Sequence, residues 1–336
     1  MNDEKMKILE MLEKGEITAE QASALLSQVS PHKAERRERK EHDPFGIGWS
    51  GLSAELGNIV EEVTSGIEEV TSSLSEVFGN SFFTEMKGER VSFSQSSGAI
   101  QGDIASVKLI SKNAKLVIIG HDENFIRLSG EYVAKHSEAR PVINLEGNKV
   151  EIAYDYHAMH SMKILCELPN VFIERLQLDN KNSSIKVSEI RCRNLSAKTK
   201  NASIKLSDVE ADKAILETSN ASIATEEVKF NQLYTKTSNA SIKLHDFLNG
   251  AENAEAYEHE VEAYTTNASI SVELPENFAY KIQATTTNAG VKCDLDDMDY
   301  EKQTKTYLNG KSPNYEQTRN RIKLNLSTTN ASIKIE

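Results

Sequence analysis

Aromatic residues make up only 6% of this 336-residue chain, tryptophan occurs once, and the hydrophobic share is 38%. That composition excludes a large globular core built on bulky side chains and leaves a thin one of Ile, Leu, Val and Ala. Cysteine is scarce as well. Cys166, Cys192 and Cys293 lie too far apart in sequence for a metal knuckle or a redox pair. Cys166 shares strand parity with Met162, Ile164 and Leu168, and Cys293 stands where comparable segments carry Leu or Val, so both read as small buried hydrophobes, compatible with a reducing compartment. Positive charge is in deficit: 39 Lys and Arg against 51 Asp and Glu give a net charge of −12. The deficit excludes wholesale nucleic-acid binding and leaves cationic ligands, basic peptides among them, as attracted partners. It also serves plain solubility.

No apolar run is long enough to span a bilayer, and Met1 to Ile17 lacks the apolar centre of a signal peptide. The cytoplasm is therefore the default location. A Gly-rich phosphate loop, a nucleophile elbow and a Cys–His pairing are missing too, so the expectation is a chain that is not an enzyme and needs no cofactor. His157 and His160 have no third ligand at workable spacing for a metal. The cluster Asp294, Asp296, Asp297, Asp299 and Glu301 lacks the loop glycine and alternating ligands of a calcium hand and reads first as a solvated turn.

What the chain does have is repetition. The phrase Asn-Ala-Ser-Ile-Lys-Leu recurs around Asn182, Asn201, Asn220, Asn239, Asn267, Asn288 and Asn330, with Asn113 as a worn copy. The first four are evenly stepped. The step widens before Asn267 and Asn288, and the gap from Asn288 to Asn330 is twice that from Asn267 to Asn288. A fixed period of roughly 20 residues marks a solenoid, each repeat one coil that hides its apolar face against its neighbours. From about residue 91 onward the hydrophobic period is two. Val107–Ile110, Leu116–Ile119, Val150–Ile152 and Ile164–Cys166 read as strands. Tyr307–Lys311, with Asn309-Gly310 at its centre, reads as a hairpin turn inside one degenerate coil of the gap between Asn288 and Asn330.

Within a coil, Ala202, Ile204 and Leu206 are expected inside, with Ser203 and Lys205 outside. The Thr-Ser-Asn element makes the corner, since Asn tolerates a left-handed backbone, and stacked corners can align the asparagines into an amide ladder. The corner set is Asn182, Asn201, Asn220, Asn239, Asn267, Asn288 and Asn330. The same register lines up Lys186, Lys205, Lys243, Lys292 and Lys334, interrupted by Ala224 and Ser271. That stripe is a candidate track for a polyanion or lipid phosphates; it equally keeps the solenoid soluble and blocks sheet-to-sheet aggregation. Six corner asparagines, with Asn194 and Asn325, also begin Asn-x-Ser sequons, which the repeat explains without glycosylation.

Ahead of the repeats, residues 3–30 read as a helical hairpin. Ile8, Leu9, Met11 and Leu12 form one stripe, Lys14-Gly15 ends the first helix, and Thr18 with Gln21 forms a capping box for the second. Residues 31–50 are a charged linker. Residues 51–80 form an amphipathic, coiled-coil-like helix: Leu56, Val63, Val70 and Val77 fall at one heptad position, Val60, Ile67 and Leu74 at the other. Its polar face carries Glu55, Glu61, Glu62, Glu68, Glu69 and Glu76 without a single Lys or Arg. Packing on another helix or on the solenoid end, self-association and a membrane-interface role are the readings it allows.

These residues also carry a resemblance. The stretch Glu4 to Ala22 is similar to the SHOCT-like helical hairpin, a short oligomerisation module. The Thr-Ser-Asn-Ala-Ser-Ile-Lys-Leu repeats resemble the adhesin-type β-strand-repeat family. The two together resemble the YvlB/LiaX group of Gram-positive bacteria. The resemblance implies a cell-envelope stress role, surface association and a response to cationic antimicrobial peptides.

The expected fold is thus mainly β: a single-chain β-solenoid of about 20-residue coils over 91–336, preceded by the small hairpin and the amphipathic helix. The expected function is non-enzymatic binding or regulation in envelope stress, with the solenoid face as ligand surface. The N-terminal helices would supply docking to a protein partner or to a second copy. The alternatives are an adhesin-like surface scaffold and a polysaccharide-acting enzyme on a β-solenoid.

Overall fold

The computed structural model describes residues 90–134, 142–146, 148–153, 159–248 and 257–336. The expected hairpin, linker and amphipathic helix (3–30, 31–50 and 51–80) lie outside the described residues, as does His157. The described chain is built of strands. In order they are β1 (Arg90–Ser96), β2 (Ser106–Ile110), β3 (Ala114–His121), β4 (Arg127–Ala134), β5 (Val142–Glu146), β6 (Lys149–Ala153) and β7 (Met159–Pro169). Next come β8 (Ile173–Asp179), β9 (Ile185–Lys198), β10 (Ile204–Glu217), β11 (Ile223–Lys236), β12 (Ile242–Leu244), β13 (Tyr257–Tyr264) and β14 (Ile270–Val272). The last are β15 (Ala279–Thr285), β16 (Val291–Cys293), β17 (Asp299–Gln303), β18 (Tyr307–Lys311), β19 (Asn320–Ser327) and β20 (Ile333–Ile335).

The regular centre is the stack β9, β10, β11. They pair in parallel and in register, so Ile185, Ile204, Ile223 and Ile242 form one column and Val187, Leu206, Thr225 and Leu244 the next. Ile204, Ile223 and Ile242 are closed to solvent. Burying each such side chain contributes about 1.5–3 kcal/mol.

Each coil bends more often than the single expected corner. In β10 the buried side chains are Ile204 and Leu206, then Val209 and Ala211, then Ala214 and Leu216. The inward parity therefore shifts twice, and the pairing with both neighbours skips Asp208 and Asp212. A coil is three short inward pairs separated by bends. Ala202 lies in the corner and is only half-buried, so the inward row begins at Ile204.

The ends depart from simple stacking. On the face holding the Ile columns, the strand order is β1, β4, β7, β3, β9, β10, β11, β12, β14, β20, β16. On the face leading into the Asn corner it is β5, β6, β2, β8, β9, β10, β11, β13, β19, β15, β18, β17. The last strands of the chain, β19 and β20, therefore fill a level between β13–β14 and β15–β16. Successive windows stack in chain order in the centre and out of order at the C-terminal end. Residues 294–319 make no coil: β17 and β18 form an antiparallel hairpin along β15. Tyr307–Lys311 is a strand of that hairpin, and the turn lies before it, around Thr304. Antiparallel strands close both ends of the Asn-side face, β5 at one and β17 at the other, and so shield parallel ladders from further pairing.

Candidate functional site

At the corner, the amide Nδ2 of each asparagine donates to Oδ1 of the asparagine one level below. Asn182 donates to Asn113, Asn201 to Asn182, Asn220 to Asn201, Asn239 to Asn220, Asn267 to Asn239 and Asn330 to Asn267, each at 2.7 Å. Asn288 donates to Asn330 at 2.6 Å, which repeats the interleaved level order. The main chain reinforces the corner: Asn220 N–H donates to Lys200 O at 3.0 Å, and Asn239 N–H to Ser219 O at 3.0 Å. From Asn201 onward a buried threonine two positions earlier ties each level to the one below, and at Asn182 that place is taken by Asn180, whose Nδ2 donates to Ala114 O at 2.6 Å. Thr218 Oγ1 donates to Ala202 O at 2.9 Å, Thr237 to Ala221 O at 3.0 Å and Thr328 to Ala268 O at 3.0 Å. The left-handed backbone expected at Asn is found elsewhere: no corner asparagine has a positive φ. Amide stacking and main-chain bonds, without αL geometry, explain the residue type there.

The lysine register places Lys186, Lys205, Lys243, Lys334 and Lys292 in one outward row, with Ala224 and Ser271 interrupting it. Carboxylates on the same face engage three of them: Lys205 meets Glu226 at 2.7 Å, Lys292 meets Asp294 at 2.6 Å, and Lys334 meets Glu336. Among the described residues Lys186 and Lys243 are the row members without an ion pair. The row is a broken, mostly neutralised stripe.

A second column was not foreseen. Glu189, Asp208, Glu227 and Asp246 each follow a corner asparagine at the same offset and each adopts a left-handed backbone, with φ of 57°, 51°, 53° and 47°. They are the residues skipped at the first bend of successive coils, and all four are exposed. At about 4.8 Å per level they form an acidic edge about 15 Å long. At the level of β3 the same position is Gly120, where a Cβ would lie 1.9 Å from Glu189 O. Beside this edge runs an open groove of about 410 Å³, bordered by Glu189, Asp208, Glu227, Glu210, Arg191 and Lys229. Arg191 is engaged by Glu210 at 3.4 Å. The signal was present in the sequence as an acid that keeps step with the asparagines, at Glu189, Asp208, Glu227 and Asp246.

Burial pushes the Cys166 and Cys192 thiols up to about 12, so neither is a nucleophile at neutral pH. Cys293 is only half-buried, because β16 is the last strand on its face. Among the described residues no group of three or more His, Cys, Asp or Glu is placed to hold a metal ion, and no helix is long and apolar enough to cross a membrane. In the 294–301 cluster, Asp294 is taken by Lys292 and Glu301 accepts from Asn309 at 2.7 Å.

A family model described as Toastrack DUF4097 matches residues 104–335. The chain belongs to the Toastrack DUF4097 family. A SHOCT-like domain model also matches residues 3–34, across the segment expected to form the helical hairpin. No curated protein matches the chain. Solved structures similar to this Toastrack chain include a putative adhesin from Bacteroides fragilis, at 9% identity over 74% of this chain and 97% of the other, with a TM-score of 0.35. A putative lipid binding protein from Parabacteroides distasonis is 12% identical over 74% and 98%, with a TM-score of 0.35. A putative cell adhesion protein from Clostridium sporogenes is 11% identical over 74% and 99%, with a TM-score of 0.30.

Proposed function

We propose that this Toastrack protein is a non-enzymatic binding and regulatory scaffold of the bacterial envelope stress response, of the YvlB/LiaX kind, and that its acidic edge takes cationic peptides. The N-terminal SHOCT-like segment supplies docking or oligomerisation. The observation that carries the reading is the edge formed by Glu189, Asp208, Glu227 and Asp246. A left-handed φ favours Gly, Asn and Asp, which covers Asp208 and Asp246, but Glu189 and Glu227 gain nothing from it. Stacking like charges on adjacent strands opposes folding. Backbone preference accounts for the two aspartates alone and stability for none of the four, whereas attraction of a cationic chain accounts for the whole column.

The edge also allows a clean test, because glycine suits each of these φ angles. In the fourfold variant Glu189→Gly, Asp208→Gly, Glu227→Gly and Asp246→Gly, relief of about 1 kcal/mol of strain per site is offset by about 0.5–1 kcal/mol of added chain entropy. Its melting temperature is expected to match or exceed that of the unaltered chain. Titration with a cationic antimicrobial peptide at moderate salt is expected to show saturable binding that weakens at least tenfold in the variant. Equal affinity of the two chains, or no saturable binding by either, rejects the reading.

The acid-bordered groove favours a second reading, a polysaccharide-acting enzyme, since paired carboxylates hydrolyse glycosidic bonds. Its acids Glu189, Asp208, Glu210 and Glu227 are exposed, and none sits in the apolar pocket in which a general acid is usually held. Release of reducing ends from cell-wall polysaccharide, lost in the same variant, would favour it.

A further inference from the structure

The outer side of the face leading into the Asn corner changes character along the solenoid. In the centre its charges alternate and pair, as where Lys198 meets Glu217 at 2.7 Å. On β19, β15 and β18 the buried side chains Leu324, Leu326, Ile282, Ala284 and Leu308 fill the inward positions. Three outward columns cross the same strands. Next to the corner stand Ser327, Thr285 and Tyr307; in the middle stand Asn325, Gln283 and Asn309. The third column is Lys323, Lys281 and Lys311. In a chain of net charge −12 these columns hold three lysines and no acid. Acids resume on either side, with Glu260 and Glu262 on β13 and Asp299 on β17.

Tyrosine rings mark both ends of the patch. Tyr264 on β13 precedes Ser327 in the first column, and its ring lies 5.7 Å from that of Tyr234. Tyr307 ends the same column, so Tyr264 and Tyr307 stand three levels apart, about 14 Å, with the small side chains of Ser327 and Thr285 between them. Much of the hydrogen-bonding capacity here is unused. Among the described residues the side chains of Ser327, Thr285, Asn325, Gln283 and Lys281 have no hydrogen bond or ion pair. Lys323 is engaged by Glu260 at 3.1 Å, Lys311 by Glu316 at 3.3 Å, and Asn309 donates to Glu301 at 2.7 Å. Amides and hydroxyls supply donors and acceptors together, and tyrosine supplies an apolar face with a polar tip. A sugar ring matches both, with C–H groups on its faces and hydroxyls around its edge. One ring of an extended glycan advances by about one level of the sheet, so successive rings meet successive amides. The lysine column selects a glycan that carries negative charge. A polyanion without sugar rings would use the lysines and leave the tyrosines and amides idle.

We propose that the outer side of β19, β15 and β18 binds an extended acidic polysaccharide, its rings laid along the solenoid axis between Tyr264 and Tyr307, its hydroxyls on Asn325 and Gln283 and its negative groups toward Lys281. This surface is separate from the acidic edge, and neither reading rests on the other. Titration of the full chain with oligogalacturonate and with hyaluronan oligosaccharides, beside neutral cello-oligosaccharides and inorganic polyphosphate, tests it. At least one acidic glycan is expected to saturate the chain, at least tenfold more tightly than the neutral one. Tyr264→Ser, Tyr307→Ser and Gln283→Ala are each expected to weaken that binding at least fivefold. Tyr300→Ser, on the inner side of the hairpin, is expected to leave it unchanged. Saturation by neither acidic glycan overturns the proposal, and equal binding of the neutral glycan overturns its acidic character. Polyphosphate that binds as tightly, with the tyrosine variants without effect, marks plain charge attraction and overturns it too. The fourfold glycine variant of the acidic edge is expected to keep full glycan affinity; loss there would move the glycan to the edge and overturn the assignment. Should a tyrosine variant fail to fold, Gln283→Ala and Lys281→Gln, both at exposed positions, decide.

Discussion

In the centre of the solenoid Ile223 rests between Ile204 and Ile242, its counterparts in the coils just before and just after it; at the C-terminal end Ile333 rests between Ile270 and Val291, both far back in the chain. The inward residues, the corner asparagine and the strand register are the same in both regions. Only the order of filling differs. A column position depends on the side-chain pattern, while the order of levels depends on how far a connection lets the chain travel. The excursion through β17 and β18 carries the chain out beyond β15 and brings β19 back into the space left beside β13.

The largest expected effects come from the core columns. Leu233 and Leu324 lie in one column, linked through Val261. Replacing either with Ala should cost about 2–5 kcal/mol, read by denaturant unfolding. The kinetics should separate them. Pairing β13 with β19 spans a much longer stretch of chain than pairing β10 with β11 and carries a larger closure entropy, so Leu324→Ala should mainly speed unfolding, whereas Leu233→Ala should slow refolding. Equal partition in the two variants would break the distinction between the regions.

A smaller effect is expected at the corner. Asn220 both donates and accepts in the ladder, and Asn288 ends it. Asn220→Ala should cost about 1 kcal/mol and Asn288→Ala about half as much, since each exposed bond sits at the low end of the usual range. Equal losses in thermal melts would show that the ladder does not act bond by bond.

The smallest effect concerns acid. His259 on β13, at the junction between centre and end, is buried with Nδ1 2.6 Å from Phe230 O. Burial holds its pKa below the ordinary value, although the Phe230 bond opposes the shift. The unfolded chain then binds the proton more readily. Stability should be complete above about pH 6.5 and fall as pH drops from there toward the depressed folded pKa. Hydrogen exchange should show β13 and β19 loosening before β9 and β10, and His259→Leu should remove that difference.

Much of the coil was legible in residue order. The period of two placed Ile204 and Leu206 inside and Lys205 outside, and the even step of the repeat put the asparagines in one column. The bends at Asp208 and Asp212 were not legible, because a shift of parity inside a continuous strand leaves no turn residue such as Gly or Pro as a marker. Glu and Asp at a left-handed φ read as ordinary surface charge. The interleaving of β20 was hidden for a related reason: the Thr-Asn-Ala-Ser-Ile phrase around Asn330 fits any level equally well. Asn309-Gly310 misled in the opposite direction. Gly310 sits within a strand, where a Cβ would come within 2.9 Å of the Tyr300 ring.

The amide column along the corner points one way: every asparagine between Asn113 at the bottom and Asn288 at the top gives a proton downward and receives one from above. A duplicated coil placed in the centre would bring one giver and one receiver and leave both terminal caps untouched. The fold can therefore lengthen or shorten in whole coils by simple gene duplication or loss, and every such change moves the acidic edge by the same increment.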